Sequence, residues 1–275
     1  MILINQRASQ QDEQSVIQHL EELRRVIIVS LIATFITAGV CWFFSDPVLK
    51  ILLEPITSKD YDVIYIGVTE AIMTKLKLAF FLGFLASLPI TLWQFWGFII
   101  PALYKVERIY FTLFILLSFL FFMGGIAFGF LVVFRMCVNF LLSYGGSELL
   151  PMLTIGKYVS FTLNFLLPFG LVFELPLASY CLAKLGVISY RTMIKARKIA
   201  ILASVVIASA LVASPDIFSV LLMAAPMYLL YEISATIVRA VEWQARRKQA
   251  GKTFNPKATL KNLLDKIRHR GAMTE

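Results

Sequence analysis

One carboxylic acid, Glu174, stands inside a long apolar run of this chain. Its neighbours in residues 171–176 are leucine, valine, phenylalanine, leucine and proline. An ionised carboxylate is costly to place inside a lipid bilayer, so an acid in such a run is a candidate for function. The alternative is a structural acid, paired with a nearby side chain such as Asn164 or with a backbone group.

Two further acids lie beside arginines close to apolar runs. Glu22 is part of the sequence HLEELRR at 19–25, and Glu107 is part of PALYKVER at 101–108. Taken alone, Glu22 is explained by a local charge pair at a helix start, and Glu107 by a solvated loop charge. If both lie at one membrane face, however, the two carboxylates could together hold two guanidinium groups by charge-assisted, bidentate contacts.

The chain lacks the residue patterns that enzymes and metal sites need. It has no Ser/His/Asp order, no HExxH, no Walker-type glycine loop and no paired catalytic acids. Its histidines are peripheral, and its three cysteines are isolated: His19, His269, Cys41, Cys137 and Cys181. We therefore predict a protein without a catalytic site, metal or cofactor.

The composition indicates an integral membrane protein. Of the 275 residues, 59% are hydrophobic and only 16% are charged, whereas soluble domains are about 45–50% apolar and about 25% charged. The net charge of +9 comes from lysines and arginines that flank apolar runs. It does not come from a basic face with interleaved aromatics, so we predict no nucleic-acid binding.

Six apolar runs predict six transmembrane helices, and the chain divides accordingly. We expect a cytoplasmic N-terminal segment with an amphipathic motif at 1–25, a six-helix membrane domain at 26–238 and a basic cytoplasmic tail at 239–275. The fifth run is shorter than the ~20 residues of a straight span. The expected spans are 26–44, 75–96, 109–134, 158–183, 199–213 and 217–238.

The residues within and between these runs predict local features. Pro89 should kink its helix, and Gly124, Gly125 and Gly129 should allow close helix approach. Residues 45–70 should form an external loop with amphipathic pieces, and residues 135–157 a second external loop.

The distribution of basic residues predicts the orientation. Most of the 26 lysines and arginines lie in the N-terminal segment, in the loop that holds Lys105 and Arg108, in the basic loop 184–198 and in the tail. Alternating spans place all four on one side, which the positive-inside rule assigns to the cytoplasm. Both termini are therefore predicted to be cytoplasmic.

Several segments, in this order, resemble the TatC family, the multispanning core of the twin-arginine protein translocase. The resemblance covers about residues 15–240. The segments that carry it are HLEELR at 19–24, QFWGFIIPALYKVER at 94–108, FELP at 173–176, SPD at 214–216 and APMYLLYE at 225–232.

The resemblance implies an all-α, six-helix membrane protein with a concave, glove-like bundle of kinked and short helices. It implies a receptor and scaffold, not an enzyme, that binds the paired-arginine signal peptides of folded cargo. The expected partners are single-span subunits of the TatA/TatB type, further copies of the chain within the complex, and the lipid bilayer. The expected location is the bacterial cytoplasmic (inner) membrane.

The resemblance also implies roles for individual residues. Two acids would bind the paired arginines, with three supporting residues nearby. Lysine should replace those arginines poorly, because it lacks the planar fork. Carried over by motif, the paired-arginine site is Glu22 and Glu107, the supporting residues are Gln94, Phe98 and Arg24, the intramembrane contact for a partner or signal helix is Glu174, and the structural or assembly positions in external loops are Pro55 and Asp216.

The main alternative is a proton-coupled transporter of small solutes in which Glu174 relays protons. Such relays usually need several titratable groups within the membrane. Glu232 is the one other acid deep in an apolar run, and it lies toward the cytoplasmic end of its predicted span.

Overall fold

A computed structural model describes residues 2–59, 61–99, 108–144, 152–211 and 216–253. Within these ranges the chain is almost entirely helical, with one pair of two-residue strands. The helices are α1 (Ile2–Cys41), α2 (Ser45–Thr57), α3 (Glu70–Ile99), α4 (Arg108–Phe128), α5 (Arg135–Tyr144), α6 (Ile155–Phe173), α7 (Leu175–Lys184), α8 (Tyr190–Leu211) and α9 (Ile217–Thr253), and the strands are β1 (Val63–Ile64) and β2 (Leu153–Thr154).

Among the described residues, five helical stretches are long and apolar enough to cross a membrane. They are Leu20–Thr57, Glu70–Phe98, Phe111–Ser143, Ile155–Lys184 and Ile217–Arg247. The remaining predicted span, 199–213, falls in α8. The apolar part of α8 is short because its first turns carry the basic residues of the preceding loop, and its last predicted residues lie outside the described ranges.

The predicted second external loop, 135–157, begins too early in the chain. The chain does not leave the helix at Arg135, because a π-helical segment (Gly129–Phe134) joins α4 directly to α5. The residues after Arg135 are still amphipathic, and the side chains of Cys137 and Val138 among them are buried. Hydrophobic burial thus extends the helix to Tyr144, about three turns beyond the predicted end.

The predicted fourth span is interrupted at Glu174, where α6 ends and α7 begins. Pro176 is the second residue of α7. Because proline has no backbone N–H, it cannot donate to the carbonyl of Val172 in the preceding turn. The amide of Glu174 instead donates to the carbonyl of Leu171, at 3.2 Å, a tighter turn than the α-helix makes.

The predicted boundaries at the two ends do not coincide with breaks in the helices. Helix α1 runs without interruption through Arg25, and α9 continues through Arg239. The amphipathic pieces expected in 45–70 include α2, which buries Leu52, Pro55 and Ile56.

The described chain forms two compact units. The first comprises the described residues within 1–174 and 205–227, and the second those within 175–204 and 228–275. In the first unit, aromatic side chains fill the core between α4 and α6, with Phe122, Phe165 and Phe169 almost fully buried. Burial of these rings adds packing contacts between the helices, and such contacts hold helices together in lipid.

The second unit is held by polar contacts between α8 and α9. The hydroxyl of Tyr231 donates to the carbonyl of Met193 at 2.6 Å. Arg197 donates to Glu232 at 2.7 Å, and Tyr228 donates to the other oxygen of the same carboxylate at 2.7 Å. Glu232 is therefore held by a base and a hydroxyl, as a structural acid would be.

Candidate functional site

A groove between α1 and α3 brings three of the predicted site residues together. Glu22 comes from α1, and Gln94 and Phe98 come from α3. The groove encloses about 430 Å³, and its lining is Glu22, Arg25, Val26, Trp93, Gln94, Gly97 and Phe98. The predicted cluster of Glu22, Gln94 and Phe98 thus exists as a single surface in the first unit.

Close packing of α1 on α3 positions this groove. A Cβ atom on Gly83 would lie 2.5 Å from the Cα of Ala38, so only glycine permits this approach. Thr37 donates to the carbonyl of Gly83 at 2.7 Å, and the hydroxyls of Thr34 and Ser87 are 2.9 Å apart. Small residues and side-chain hydrogen bonds are the usual means of joining helices in lipid.

The groove combines one carboxylate, one guanidinium group and aromatic faces. Glu22 is exposed and supplies a carboxylate, which binds guanidinium more strongly than it binds a neutral donor. Trp93 and Phe98 add aromatic faces, over which guanidinium groups also pack. The ring of Trp93 is fixed by an edge-on contact with Phe111, at 5.3 Å between centroids.

The sequence motifs did not identify all residues of the groove. Arg25, Val26, Trp93 and Gly97 also line it. Trp93 and Gly97 could have been found from helical spacing, because they are four residues apart and share a face of α3 with Gln94 and Phe98. Arg24, predicted as a supporting residue, is exposed on α1 and is not part of this lining. Glu107 lies outside the described residues.

Glu174 ends a chain of hydrogen bonds that starts on α3. The indole N–H of Trp96 donates to the hydroxyl of Ser118 at 3.0 Å, and that hydroxyl donates to Oε2 of Glu174 at 2.7 Å. Trp96 and Ser118 are buried. The second oxygen, Oε1, is buried and finds no hydrogen-bond partner in the described part of the chain.

The partner of Glu174 is therefore Ser118, not Asn164. Asn164 is exposed and lines a separate groove with Lys77 and Ser160. Neither Ser118 nor Trp96 could be chosen from the sequence, because they are 56 and 78 residues away from Glu174 and are brought near it only by helix packing.

The two predicted external-loop residues occupy structured positions. Pro55 is buried within α2. Polar contacts tie α2 to other helices, among them Arg135 to Glu54 at 2.5 Å and the hydroxyl of Tyr158 to the carbonyl of Leu52 at 3.0 Å. Asp216 accepts the amide N–H of Ser219 at 2.7 Å and so caps the start of α9.

Comparison with known proteins decides the family. A family model described as Sec-independent protein translocase protein (TatC) matches residues 18–226. The chain belongs to the TatC family. It is 47% identical over 234 residues to the TatC protein of Carboxydothermus hydrogenoformans, an alignment that spans 84% of this chain and 96% of that protein. It is 38% identical over 221 residues to the TatC protein of Aquifex aeolicus, which spans 79% of this chain and 91% of that protein.

A solved structure agrees with this assignment. The crystal structure of a twin arginine translocase receptor, TatC, superposes with a TM-score of 0.75 at 36% identity, and the match covers 82% of this chain and 99% of that one. The predicted fold class, an all-α, six-span membrane protein, is confirmed. As a TatC protein the chain is a component of the Sec-independent protein translocase, and its function is protein transport. The alternative prediction, a transporter of small solutes, is not favoured.

Proposed function

We propose that this chain is the receptor and scaffold of its translocase, which binds the paired-arginine signal peptide of folded cargo in the α1–α3 groove. The observation that carries the proposal is the meeting of Glu22, Gln94 and Phe98 in one groove. The twin arginine translocase receptor TatC of known crystal structure shares the fold. Glu107, on the predicted loop that follows α3, supplies the second carboxylate, so that two guanidinium groups meet two acids.

Substitution of Glu22 by glutamine tests the groove. Glu22→Gln keeps the shape of the side chain but removes its charge. It should weaken binding of a labelled paired-arginine peptide by about 10- to 150-fold, because charge-assisted hydrogen bonds contribute about 1.5–3 kcal/mol. Glu21→Gln is the matched control, since Glu21 is its exposed neighbour on α1 and is not part of the groove lining. Equal losses in the two variants would show that bulk charge, not the groove, attracts the peptide.

We assign Glu174 to the step after capture, as the polar contact for a partner or signal helix that packs against this chain. Oε1 supports this role, because it is buried and has no hydrogen-bond partner among the described residues, and such an oxygen readily accepts a donor from an arriving helix. Glu174→Ala should leave peptide affinity unchanged and reduce copurification of TatA/TatB-type single-span subunits. Unchanged copurification contradicts the assignment. We place the assembly in the bacterial inner membrane, together with further copies of this chain.

A further inference from the structure

The second unit contains a basic pocket that the receptor function does not use. It lies between the start of α8 and the C-terminal part of α9 and encloses about 550 Å³. Its charged and aromatic lining consists of Tyr190, Arg191, Arg239, Glu242, Trp243 and Arg246. Three guanidinium groups thus face one carboxylate, and the pocket carries an excess of positive charge.

The carboxylate of Glu242 is already bound within the pocket. It accepts the amide N–H of Tyr190 at 2.6 Å and lies 3.8 Å from Arg246. Among the described residues, the structure pairs neither Arg191 nor Arg239 with an acid. Arg239 instead lies over the ring of Tyr190, with 5.5 Å between the guanidinium carbon and the ring centroid. Two guanidinium groups therefore remain available to an external anion.

The surroundings of the pocket are those of a lipid–water boundary. It lies at the end of the apolar stretch of α9, on the side that the distribution of basic residues assigns to the cytoplasm. Trp243 is 53% exposed, and tryptophan and tyrosine concentrate at headgroup level. The anionic lipids of the cytoplasmic leaflet attract arginines at this level.

An exposed apolar stripe leads along α9 into the pocket. Leu229 and Ile233 are 59% and 41% exposed, and Thr236 and Ala240, which follow them on the same helical face, line the pocket itself. An acyl chain could lie along this stripe while its headgroup occupies the pocket. An acidic protein segment would not need an apolar surface beside the pocket. The basic pocket and the apolar stripe together therefore favour a lipid.

We propose that this pocket binds the phosphodiester headgroup of one anionic phospholipid from the cytoplasmic leaflet. The guanidinium groups of Arg191 and Arg239 hold the phosphate oxygens by forked hydrogen bonds, and Arg246, beside Glu242, adds positive charge to the pocket. Trp243 and Tyr190 lie at the level of the glycerol. The site is separate from the α1–α3 groove and needs no signal peptide.

The test is lipid retention by the full-length protein in detergent, measured by native mass spectrometry during titration with phosphatidylglycerol or phosphatidylcholine. The pocket variant is Arg191→Gln, Arg239→Gln, Arg246→Gln. The control is Lys184→Gln, Lys195→Gln, Lys198→Gln, which removes the same charge from exposed positions outside the pocket lining. Arg246→Gln alone is a milder variant, since that side chain is 77% exposed and its loss should not disturb folding.

We expect one phosphatidylglycerol to be retained at least about tenfold more tightly than phosphatidylcholine, and this preference to be lost in the pocket variant and kept in the control. Arg246→Gln should weaken it partially. Equal loss in both triple variants, or equal retention of the two lipids, overturns the proposal. Displacement by millimolar inorganic phosphate would reassign the pocket to a free anion, and selective binding of a hexaglutamate peptide would reassign it to an acidic protein segment.

Discussion

At the scale of single residues, the most consequential contact is the one between Ser118 and Glu174. Ser118 uses its hydroxyl twice, as acceptor from Trp96 and as donor to Glu174. This fixes the carboxyl group while leaving Oε1 unbonded in the described part of the chain. Oε1 of Glu174 can therefore accept a hydrogen bond from a partner helix while the bond from Ser118 to Oε2 stays in place.

Ser118→Ala should destabilise the protein by about 1–3 kcal/mol, because it leaves the indole N–H of Trp96 and the carboxyl of Glu174 buried without their partner. The measurement is denaturant unfolding in detergent. The control is Ser143→Ala, whose exposed hydroxyl donates only to the carbonyl of Phe140. In a Glu174→Ala background the cost of Ser118→Ala should shrink. A cost no larger than that of Ser143→Ala would contradict the hydrogen-bond chain.

Asp216 gives a prediction for pH dependence. Its burial opposes ionisation, but hydrogen bonds from the backbone and side chain of Ser219 outweigh this effect and hold the pKa of Asp216 below its usual value. A lowered folded-state pKa means that the stabilisation is complete above the unfolded-state pKa of about 4. It is lost as pH falls through the folded-state pKa.

The unfolding midpoint of wild type should therefore exceed that of Asp216→Asn by a constant amount between about pH 5 and 7, and the difference should shrink below about pH 4. Asp62→Asn, at an exposed loop position, corrects for general effects of removing a carboxylate. A difference that is constant down to pH 2 would show that the cap of α9 does not depend on charge.

At the scale of helices, the contact of α4 with α6 depends on particular glycines. A Cβ on Gly125 would lie 2.5 Å from the backbone oxygen of Phe169, and one on Gly129 would lie 3.0 Å from the Cβ of the same residue. These two glycines therefore confirm the predicted close approach. Gly124 does not, because it has no neighbour within 4 Å of the corresponding position.

Gly125→Ala should destabilise the protein by about 1–3 kcal/mol, since the methyl group forces α4 away from a backbone atom that cannot move independently. Gly124→Ala is the matched control on the adjacent residue, and it should be neutral or slightly stabilising because alanine favours helix. Thermal unfolding of both variants in the same detergent decides the matter. Equal midpoints would contradict the packing.

The sequence predicted which helices exist better than where they end. Apolar runs sufficed to locate the spans, because lipid requires about 20 such residues. The extension of α5 to Tyr144 was missed, since it depends on burial of Cys137 and Val138 against other helices. The break at Glu174 follows from Pro176, a local signal that could have been used. The hydrogen-bond chain from Trp96 could not have been predicted, because it depends on three helices being packed together.

At the scale of the whole molecule, we propose two binding surfaces, one in each compact unit. The α1–α3 groove in the first unit, with Glu22 in its lining, is the proposed site for the peptide, and the α8–α9 pocket in the second, with three arginines in its lining, is the proposed site for the lipid. Motifs in the sequence named three residues that line the first groove, Glu22, Gln94 and Phe98. They did not predict the second, whose arginines look like ordinary topology signals until α8 and α9 place them around one cavity.

The most direct test of the proposed receptor groove is to map where the arginine pair of a signal peptide binds. A signal peptide with a photoreactive residue directly after its paired arginines is cross-linked to the purified full-length protein, and the adducts are located by mass spectrometry. We predict adducts on residues 22–26 and 93–98 or in the adjoining 100–107, and their loss when the pair is replaced by lysines or when Glu22 is replaced by glutamine. Adducts on other helices, or equal adducts from the paired-lysine peptide, would contradict a receptor groove between α1 and α3.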